Sequence, residues 1–535
     1  MMALGGLWSR GREMALISAR VQWSYADLAA RVLKRVQALR AQGLQVGQVV
    51  RVSTAPVSDL VVMQHALDLL GCGLLPVSPR RDAAELMALE RQAGVEWRWL
   101  PDGDADLDPD SDPDAAPASV PDRECNPDSG RWERAGAGGR LVATGVSGEP
   151  VSYRAGYPLS EPGLTPPSRS PNGVAPALVI ETSGSSGAPK AVMLTRANVL
   201  ASASATNAQL GLGPGDAWLG CLPRCHVGGL MIGFRCALAG AVQVAHEGYD
   251  ADALARDLVE RRISHLSLVP PMLARLLAIL ASPPPWLRVV LVGGQGLSTG
   301  LARKALEVGW PLRLTYGMTE TCSHVVLSPP LRSVPPAGWV GRPLPGVEMQ
   351  CSGTPTAPAR MRIRGPQVMA GYAEPGRQPG LGLEEGWFQT SDLGYLSPEG
   401  EVTVSGRADQ ILVIGGEAVV PSRVEERLLA APGLEAVAVV ALPDPTWGHR
   451  LVAAYTGDTP PEALETWCRR HLPDRQRPRG FHRCAALPIL ASGKLDAQGI
   501  RALFADLQPA GGGADIRSGQ DDRWWGNPVT SWPLT

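Results

Sequence analysis

The sequence predicts an α/β protein. We expect a large N-terminal domain of parallel sheets covered by helices with a small β subdomain, and then a small mobile α+β C-terminal domain. From Ala177 to Tyr316, short apolar strands alternate with amphipathic helices, a pattern typical of parallel sheets with helices on both faces. The chain of 535 residues also exceeds the size of one compact domain, usually ~100–200 residues.

The elements are predicted in chain order from apolar periodicity and turn residues. Ser24 is a candidate N-cap of a first amphipathic helix and Gly43 a candidate stop, and "QVVRVSTA" predicts a strand. The regular part is then predicted as strand 177–181, a helix from Thr195, strand 241–245, helix 250–262, strand 265–269, helix 271–281, strand 288–292, helix 298–308 and strand 312–316. Shorter strands with turn signals over 340–406 predict the β subdomain.

Changes in composition predict the domain organisation. The N-terminal domain is expected to span residues 1–406, and within it the acidic, Gly/Pro/Ser-rich residues 101–173 predict a disordered insertion. Residues 407–507 are expected to form the mobile C-terminal lid domain. Residues 508–535 lack apolar periodicity and are expected to be a flexible tail.

Overall composition excludes several functions. Lys and Arg number 50 against 52 for Asp and Glu, so the chain lacks the basic charge that nucleic-acid binding requires, and no nucleic-acid partner is expected. No apolar run approaches the ~20 residues of a membrane span. Nine scattered cysteines without a CxxC pair favour reduced thiols and a cytoplasmic location.

The segment "ETSGSSGAPKAV" at 181–192 is rich in glycine and hydroxyl side chains and carries one lysine. Glycines allow close backbone approach, while hydroxyls and lysine donate hydrogen bonds to phosphate oxygens. The spacing differs from that of a Walker A loop. The segment alone therefore indicates a phosphate loop of another kind, or a Gly/Ser connection between strand and helix.

Four further motifs follow in one order: "TYGMTET" at 315–321, "GWFQTSDLG" at 386–394, "GRADQILVIGGEAVVPSRVEERL" at 406–428 and "LPILASGKLD" at 487–496. Together with the loop they resemble the adenylate-forming superfamily, which includes acyl-CoA synthetases. The resemblance implies ATP, Mg²⁺ and CoA as cofactor and co-substrates. The ATP-binding residues that it implies are Thr182, Ser183, Gly184, Ser185, Ser186, Gly187, Lys190, Tyr316, Asp392 and Arg407.

The resemblance also implies roles in two half-reactions. Thr319 would contact the α-phosphate, Glu320 would serve the magnesium ion and Lys494 would be the catalytic lysine. Cations suit this chemistry because a carboxylate that attacks the α-phosphorus of ATP must overcome repulsion between anions. In the hinge motif, Asp409 would be the pivot, and Gly415 and Gly416 would lie at the CoA tunnel.

Within the superfamily, "LPRCHVGGLMIGFRCALAGAVQV" at 222–244 and "VGRPLPGVEM" at 340–349 resemble the 2-succinylbenzoate:CoA ligases of menaquinone biosynthesis. The implied substrate carries a second carboxylate, which needs a cation or polar donors inside an apolar pocket. His226, Ser323 and His324 are the candidates by position. Arg224 and Cys225 precede His226, where Leu or Phe is common in the family.

Two alternatives remain open at this point. Another acid, fatty or aromatic, is an alternative substrate of the same enzyme class. A non-catalytic nucleotide-binding sensor is an alternative of another class, although such a protein has no need of Lys494. The expected partners are small molecules, namely the acid, ATP and CoA, and a homo-oligomer is left open.

Overall fold

The computed structural model describes residues 10–54, 56–78, 83–101, 130–134, 140–141, 169–170, 173–182, 190–374, 377–490 and 495–505. Its helices are α1 (Tyr25–Ala41), α2 (Val57–Leu70), α3 (Ala83–Ala93), α4 (Arg196–Leu210), α5 (Val227–Ala239), α6 (Ala251–Glu260), α7 (Pro270–Ile279), α8 (Thr299–Glu307), α9 (Pro421–Leu428), α10 (Pro461–His471) and α11 (Ala497–Ala502).

The strands of the first half of the chain are β1 (Met14–Ser18), β2 (Gln22–Ser24), β3 (Val49–Ser53), β4 (Gly73–Val77), β5 (Val95–Pro101), β6 (Gly130–Arg134), β7 (Arg140–Leu141), β8 (Arg169–Ser170), β9 (Gly173–Val174), β10 (Leu178–Thr182), β11 (Lys190–Leu194), β12 (Ala217–Gly220), β13 (Val242–Ala245) and β14 (His265–Leu268). Those of the second half are β15 (Val289–Val292), β16 (Leu312–Met318), β17 (Ser323–Leu327), β18 (Trp339–Pro343), β19 (Glu348–Gln350), β20 (Ala359–Arg364), β21 (Gly371–Tyr372), β22 (Phe388–Leu396), β23 (Val402–Arg407), β24 (Leu412–Ile414), β25 (Glu417–Val419), β26 (Leu434–Asp444), β27 (Gly448–Gly457) and β28 (Phe481–Arg483).

Two large sheets carry the first four hundred residues. One has thirteen strands in the order β19-β20-β22-β23-β18-β17-β16-β15-β14-β12-β13-β1-β2, and the other has eight in the order β21-β11-β10-β4-β3-β5-β6-β7. Strands β12 to β16 are parallel, as the alternation of strands and helices predicts. The predicted α/β fold class is therefore confirmed.

Both sheets are mixed, however, whereas the sequence predicts parallel sheets. In the first sheet, β17 runs antiparallel to β16 and leads into the antiparallel strands β18, β23, β22, β20 and β19. These strands of the predicted β subdomain are thus hydrogen-bonded to the parallel strands as one continuous sheet, whereas β21 pairs with β11 in the second sheet. In the second sheet, β11 runs antiparallel to β10, so the chain reverses direction before α4 begins, and β21 forms the edge beside β11.

Local sequence explains most helix boundaries. Ser24 accepts a hydrogen bond from the Asp27 amide, and the Asp27 side chain bonds back to Ser24 in a capping box. Thr195 caps α4 in the same way. The first helix ends at Ala41, and Gly43 follows with a φ of 87°, a conformation that favours glycine. Within the described residues, no helix is long and apolar enough to cross a membrane.

The N-terminal sheets and the small C-terminal sheet have separate apolar cores. The largest apolar cluster joins α1 and α2 to strands of both sheets and includes Leu67, Ile180 and Val326, all fully buried. Past β23, strands β26, β27 and β28 form a separate small sheet. This sheet packs with α9 and α10 around its own apolar cluster, which includes Val424 and Leu451.

Two predicted segments fall mostly outside the described residues. Inside the range 101–173, for which a disordered insertion is predicted, the structure describes Pro101, β6, β7, β8 and the first residue of β9, and β6 and β7 extend the eight-stranded sheet. The rest of that range lies outside the described residues, as does the tail at 508–535. The predicted domain boundary at 406/407 falls at the end of β23.

Candidate active site

The carboxyl ends of the parallel strands form the edge of the sheet where ligands bind in such folds. Beyond this end of β16, residues Thr319–Thr321 form one 3-10 turn. Cys322 and Ser323 then reverse the chain with φ values of 52° and 89°. A Cβ on Gly317 would lie 2.1 Å from the Ser323 carbonyl oxygen, so only glycine permits this close crossing. The reversal leaves Thr319 and Glu320 at the turn.

One group of predicted nucleotide-binding residues is brought together by strands β16 and β22. The Tyr316 hydroxyl donates a hydrogen bond to Oδ2 of Asp392 at 2.7 Å, and Nη1 of Arg407 lies 3.4 Å from Oδ1. Burial raises the pKa of Asp392, and burial with the adjacent carboxylate raises the pKa of Tyr316. The site therefore holds a buried carboxyl that is able to accept hydrogen bonds from a ribose.

Arg407 also contacts the predicted pivot residue. Its Nε and Nη2 donate to the two carboxylate oxygens of Asp409 at 2.9 and 2.5 Å. These contacts raise the pKa of Arg407, so the guanidinium stays charged. The same side chain thus joins the Asp392 carboxyl to the segment that leads into the small C-terminal sheet.

The phosphate loop is described only at its ends. Thr182 and Lys190 pair across the antiparallel strands β10 and β11, whereas Ser183, Gly184, Ser185, Ser186 and Gly187 lie outside the described residues. The sequence predicts that the chain passes from this loop straight to the helix at Thr195. That prediction is wrong, because Lys190–Leu194 forms β11, which pairs with β10 on one side and with β21 on the other.

Lys190 and Glu320 are linked by a residue that the sequence analysis missed. The Tyr372 hydroxyl donates to Oε1 of Glu320 at 2.9 Å, and Nζ of Lys190 lies 5.0 Å from the centre of the Tyr372 ring. Burial, with the Glu320 charge, raises the pKa of Tyr372. The signal in the sequence is the preceding Gly371, because its φ of 139° is a conformation that favours glycine.

The carboxylate of Glu320 suits the magnesium ion that the family resemblance implies. Magnesium is usually held by one or two carboxylates together with substrate phosphates and waters. Over the part of the chain that the structure describes, no group of three or more His, Cys, Asp or Glu side chains forms a closed metal cage. One carboxylate at an open turn therefore fits an ion that arrives with a nucleotide.

The three predicted acyl-pocket residues lie on two elements. His226 is exposed and precedes α5, while Ser323 and His324 begin β17. Nε2 of His324 lies 2.9 Å from the hydroxyl of Thr206 on α4. Burial, with the Arg235 and Arg313 charges, holds the pKa of His324 well below its usual value. His324 is therefore neutral at physiological pH.

Arg235 on α5 is a second residue that the sequence analysis missed. Its side chain is only 1% exposed, and among the described residues its Nε and Nη2 have no hydrogen-bond partner. Burial lowers its pKa to about 10, so the guanidinium still carries its charge at neutral pH. The sequence signal is one arginine inside the apolar run "VGGLMIGFRCALA". Its guanidinium carbon lies 5.5 Å from the centre of the Trp218 ring, but buried donors of a cation that lack acceptors are costly unless an anion reaches them.

The predicted CoA tunnel lies on the hairpin of β24 and β25. Gly415 and Gly416 form its turn with φ values of 56° and 85°. The guanidinium carbons of Arg475 and Arg479 lie 4.0 and 5.0 Å from the centre of the Trp447 ring, and the Gly415 amide donates to the Trp447 carbonyl. Asp474 pairs with both guanidinium groups, at 3.8 and 3.0 Å, so two arginines against one carboxylate leave a net positive charge beside the hairpin, and phosphates bind favourably to such a charge.

The predicted catalytic residue Lys494 lies outside the described residues. The flanking backbone is described, because Ile489 and Leu495 form an antiparallel bridge. Asp496 then caps α11 by accepting hydrogen bonds from the Gln498 and Gly499 amides. The role of Lys494 stays a prediction.

Comparison with known proteins identifies the class. Residues 9–373 match the family model of the AMP-binding enzymes, and residues 423–494 match that of the AMP-binding enzyme C-terminal domain. The chain therefore belongs to the AMP-binding enzyme family, as the motifs predict. The chain is also 34% identical to a 2-succinylbenzoate--CoA ligase of Bacillus licheniformis over 326 residues, which are 60% of this chain and 68% of that protein.

Two solved structures of an enzyme from Bacillus subtilis share the fold of this chain. The o-succinylbenzoate CoA synthetase MenE in complex with the acyl-adenylate intermediate OSB-AMP is 23% identical, covers 97% of this chain and 99% of its own, and has a TM-score of 0.72. The same enzyme in complex with ATP and magnesium ion is 24% identical, covers 94% of this chain and 99% of its own, and also has a TM-score of 0.72. Both support the observed two-part architecture.

Proposed function

We propose that the chain is an ATP-dependent carboxylic acid:CoA ligase that converts 2-succinylbenzoate to 2-succinylbenzoyl-CoA through an acyl-adenylate, a step of menaquinone biosynthesis. Arg235 is the observation that carries this choice of acid. One carboxylate of the substrate must reach the α-phosphate, and the other needs a partner inside the protein. A buried guanidinium with two unused donors supplies that partner, whereas a fatty acid would leave it unpaired.

In the first half-reaction, the substrate carboxylate attacks the α-phosphorus of ATP, the bond to the bridging oxygen breaks, and pyrophosphate leaves. Tyr316 and Asp392 bind the adenosine, and Thr319 donates to the α-phosphate. Lys190, with the hydroxyl groups of the loop, holds the leaving phosphates, and Lys494 stabilises the charge that develops. Magnesium, held through Glu320 when bound, neutralises charge on the phosphate oxygens.

In the second half-reaction, the CoA thiol loses its proton and its sulfur attacks the acyl carbonyl carbon. The thioester forms as AMP leaves. We propose that rotation of the C-terminal domain about Asp409 withdraws Lys494 and brings Gly415 and Gly416 to the site. Arg475 and Arg479 would then meet the phosphates of CoA, so domain closure separates two chemistries in one site.

The cellular setting belongs to the same proposal. Eight cysteines within the described residues are free, several of them buried, and free thiols favour a reducing compartment. We therefore propose a cytoplasmic protein. Its proposed partners are the acid, ATP and CoA, with no nucleic acid, and a homo-oligomer remains open.

AMP release tests the proposal. Purified protein would be incubated with ATP, magnesium, CoA and a panel that contains 2-succinylbenzoate, benzoate, cinnamate and medium-chain fatty acids. We expect AMP and a CoA thioester with 2-succinylbenzoate. Activity with fatty or aromatic monocarboxylic acids alone would show that the acid is wrongly assigned. Tight ATP binding without AMP from any acid would favour the non-catalytic sensor.

A further inference from the structure

Arg224 is an unusual residue at its place in the fold. It lies in the turn between β12 and α5, where the neighbouring residues Leu222, Pro223 and Cys225 before His226 are uncharged. Its side chain is only 6% exposed, and burying a guanidinium is unfavourable unless its donors find acceptors. Both terminal nitrogens of Arg224 have acceptors, whereas Nε has none among the described residues. Arg224 is therefore present for its hydrogen bonds rather than for its apolar surface.

The donors of Arg224 reach the carboxyl ends of two neighbouring parallel strands. Nη1 donates to the carbonyl of His246, directly after β13, at 2.7 Å, and Nη2 donates to the carbonyl of Gly220, the last residue of β12, at 3.3 Å. The Gly220 carbonyl also accepts from the His246 amide at 3.0 Å. The planar guanidinium thus ties the turn to the edge of the sheet where ligands bind.

No carboxylate among the described residues forms an ion pair with Arg224. Burial lowers the pKa of Arg224 to about 10, and the nearby Glu247 charge acts in the opposite direction. The Glu247 carboxylate accepts a hydrogen bond from the Val57 amide at 3.0 Å. The contacts of Arg224 are therefore directional hydrogen bonds to backbone. Such bonds fix the position of a turn more closely than the packing of an apolar side chain does.

The turn held by Arg224 ends at His226. The His226 amide donates to the Pro223 carbonyl at 3.2 Å, and the His226 carbonyl accepts from the Leu230 amide at 3.1 Å as α5 begins. A Cβ on Gly229 would lie 2.5 Å from the carbonyl oxygens of Leu222 and Pro223. The first turn of α5 therefore has no room to shift on its own, and movement of the turn would carry His226 with it.

We infer that Arg224 is a positioning residue for the acid substrate: by tying the turn to the ends of β12 and β13, it holds His226 at the mouth of the acyl pocket. This inference rests on the proposed function, since His226 is assigned to that pocket. Arg224 does not touch the nucleotide residues Tyr316 and Asp392. It therefore affects binding of the acid and leaves binding of ATP unchanged.

The test compares Arg224→Leu and Arg224→Lys, each in wild type and in a His226→Ala background. In wild type, we expect Arg224→Leu to raise KM for 2-succinylbenzoate about tenfold, the loss expected for hydrogen bonds from a charged donor, while KM for ATP stays within about twofold. Lysine, which keeps a charged donor, should restore part of the affinity. In the His226→Ala background, the same change should raise KM for the acid less than about twofold, because coupled residues are not additive.

Arg377 supplies a matched control. It is also buried, and it donates to the Gly47 carbonyl at 2.9 Å and to the carboxylate of Glu96. Glu96 lies in β5 of the eight-stranded sheet, away from β12 and β13. Arg377→Leu should lower the melting temperature without raising KM for the acid.

Equal rises of both KM values, or additive effects of Arg224→Leu and His226→Ala, would overturn the inference. If Arg224→Leu does not fold, Arg224→Lys in the two backgrounds decides by the same criterion. Wild-type protein that releases no AMP with the acid would instead refute the proposed function.

Discussion

Arg235 is the residue on which the proposed choice of acid rests. Its guanidinium is buried, charged and without a hydrogen-bond partner for two of its nitrogens among the residues described. Thr206 and Asn207 of α4 lie close by, since Thr206 contacts His324 and Asn207 donates to the Arg235 carbonyl. An anion in this region would gain a charge-assisted contact with Arg235. Without the anion, the buried charge of Arg235 lowers the stability of the protein.

Arg235→Met separates function from stability. We expect KM for 2-succinylbenzoate to rise about 10- to 100-fold, as loss of a hydrogen bond to a charged group predicts, whereas activity with benzoate should not fall. The melting temperature should stay equal or rise, because methionine fills the volume without a buried charge. Steady-state kinetics and thermal unfolding measure both. A fall in stability with unchanged KM would assign Arg235 to the fold instead.

Tyr316→Phe tests the adenosine end of the site. The change removes the 2.7 Å hydrogen bond to Asp392 and leaves a buried carboxyl with a weaker contact to Arg407. We expect KM for ATP to rise about fivefold to tenfold, with KM for the acid unchanged. Tyr25→Phe is the control, because within the described part of the chain that hydroxyl donates to backbone carbonyls, those of Cys236 and Ala241. An equal effect of both changes on KM for ATP would contradict the assignment.

At this scale, the sequence predicts some site residues and misses others for a physical reason. The order of the motifs along the chain identifies Tyr316, Asp392 and Glu320 as candidates. The structure brings Tyr316 and Asp392 into contact. Arg235 and Tyr372 stand in apolar or glycine-rich runs without such a motif. Their importance comes from partners distant in sequence, such as Glu320 for Tyr372, and tertiary contacts of this kind leave no local pattern.

Among the elements, amphipathic helices are predicted well and fully buried ones are not. Helices α6, α7 and α8 lie within a few residues of their predicted bounds because each has one apolar face. Helix α5 is buried on nearly every side, so its apolar residues show no helical period. Strand β11 is missed because five residues after a glycine-rich loop carry too little pattern to separate a strand from a helix start.

Helix α9 carries a pH-sensitive contact of the C-terminal domain. The Glu425 carboxylate accepts a hydrogen bond from the Val439 amide of β26 at 2.7 Å, and burial raises the pKa of Glu425 from 4.5 to about 7. The folded state therefore keeps a proton that the unfolded state releases. The resulting stabilisation is complete below pH 4.5 and is lost as the pH rises through 7.

Glu425→Gln should abolish this dependence. We expect the melting temperature of the wild type, relative to that of Glu425→Gln, to be lower at pH 8 than at pH 5 by roughly 5 °C. Glu426→Gln is the matched control, since Glu426 lies on the same helix with an exposed side chain. Calorimetry at both pH values measures the difference. Parallel pH profiles for the wild type and Glu425→Gln would show that Glu425 has no such role.

On the scale of the whole molecule, the α/β class and the two-part architecture follow from the sequence, but the joining of the sheets does not. Strands β18, β19, β20, β22 and β23 are predicted as a separate β subdomain because the strands become shorter after residue 340. They join the parallel sheet through β17, and that connection depends on the close crossing at Gly317 and on Cys322, a non-glycine residue with positive φ. Neither feature is visible in apolar periodicity.

The two proposed half-reactions can be separated by mutation. Lys494→Ala should lower acid-dependent exchange of pyrophosphate into ATP by about 100-fold or more, while the variant still converts supplied acyl-adenylate and CoA to the thioester. Asp409→Pro should do the reverse, because it stiffens the pivot. Full pyrophosphate exchange by Lys494→Ala with loss of thioester formation would contradict the assigned role. Two unaffected half-reactions in Asp409→Pro would contradict the pivot.

The shared guanidinium of Arg407 makes the balance between the two half-reactions depend on dissolved salt. Its side chain is 43% exposed, and charges at such a position are screened over about 8 Å at physiological ionic strength. The proposed rotation about Asp409 would change the contacts that Arg407 makes with Asp392 and Asp409. Added potassium chloride should therefore change the ratio of thioester formation to pyrophosphate exchange in the wild type, and much less in Arg407→Gln. Ionic strength would act on this enzyme as a control of domain movement.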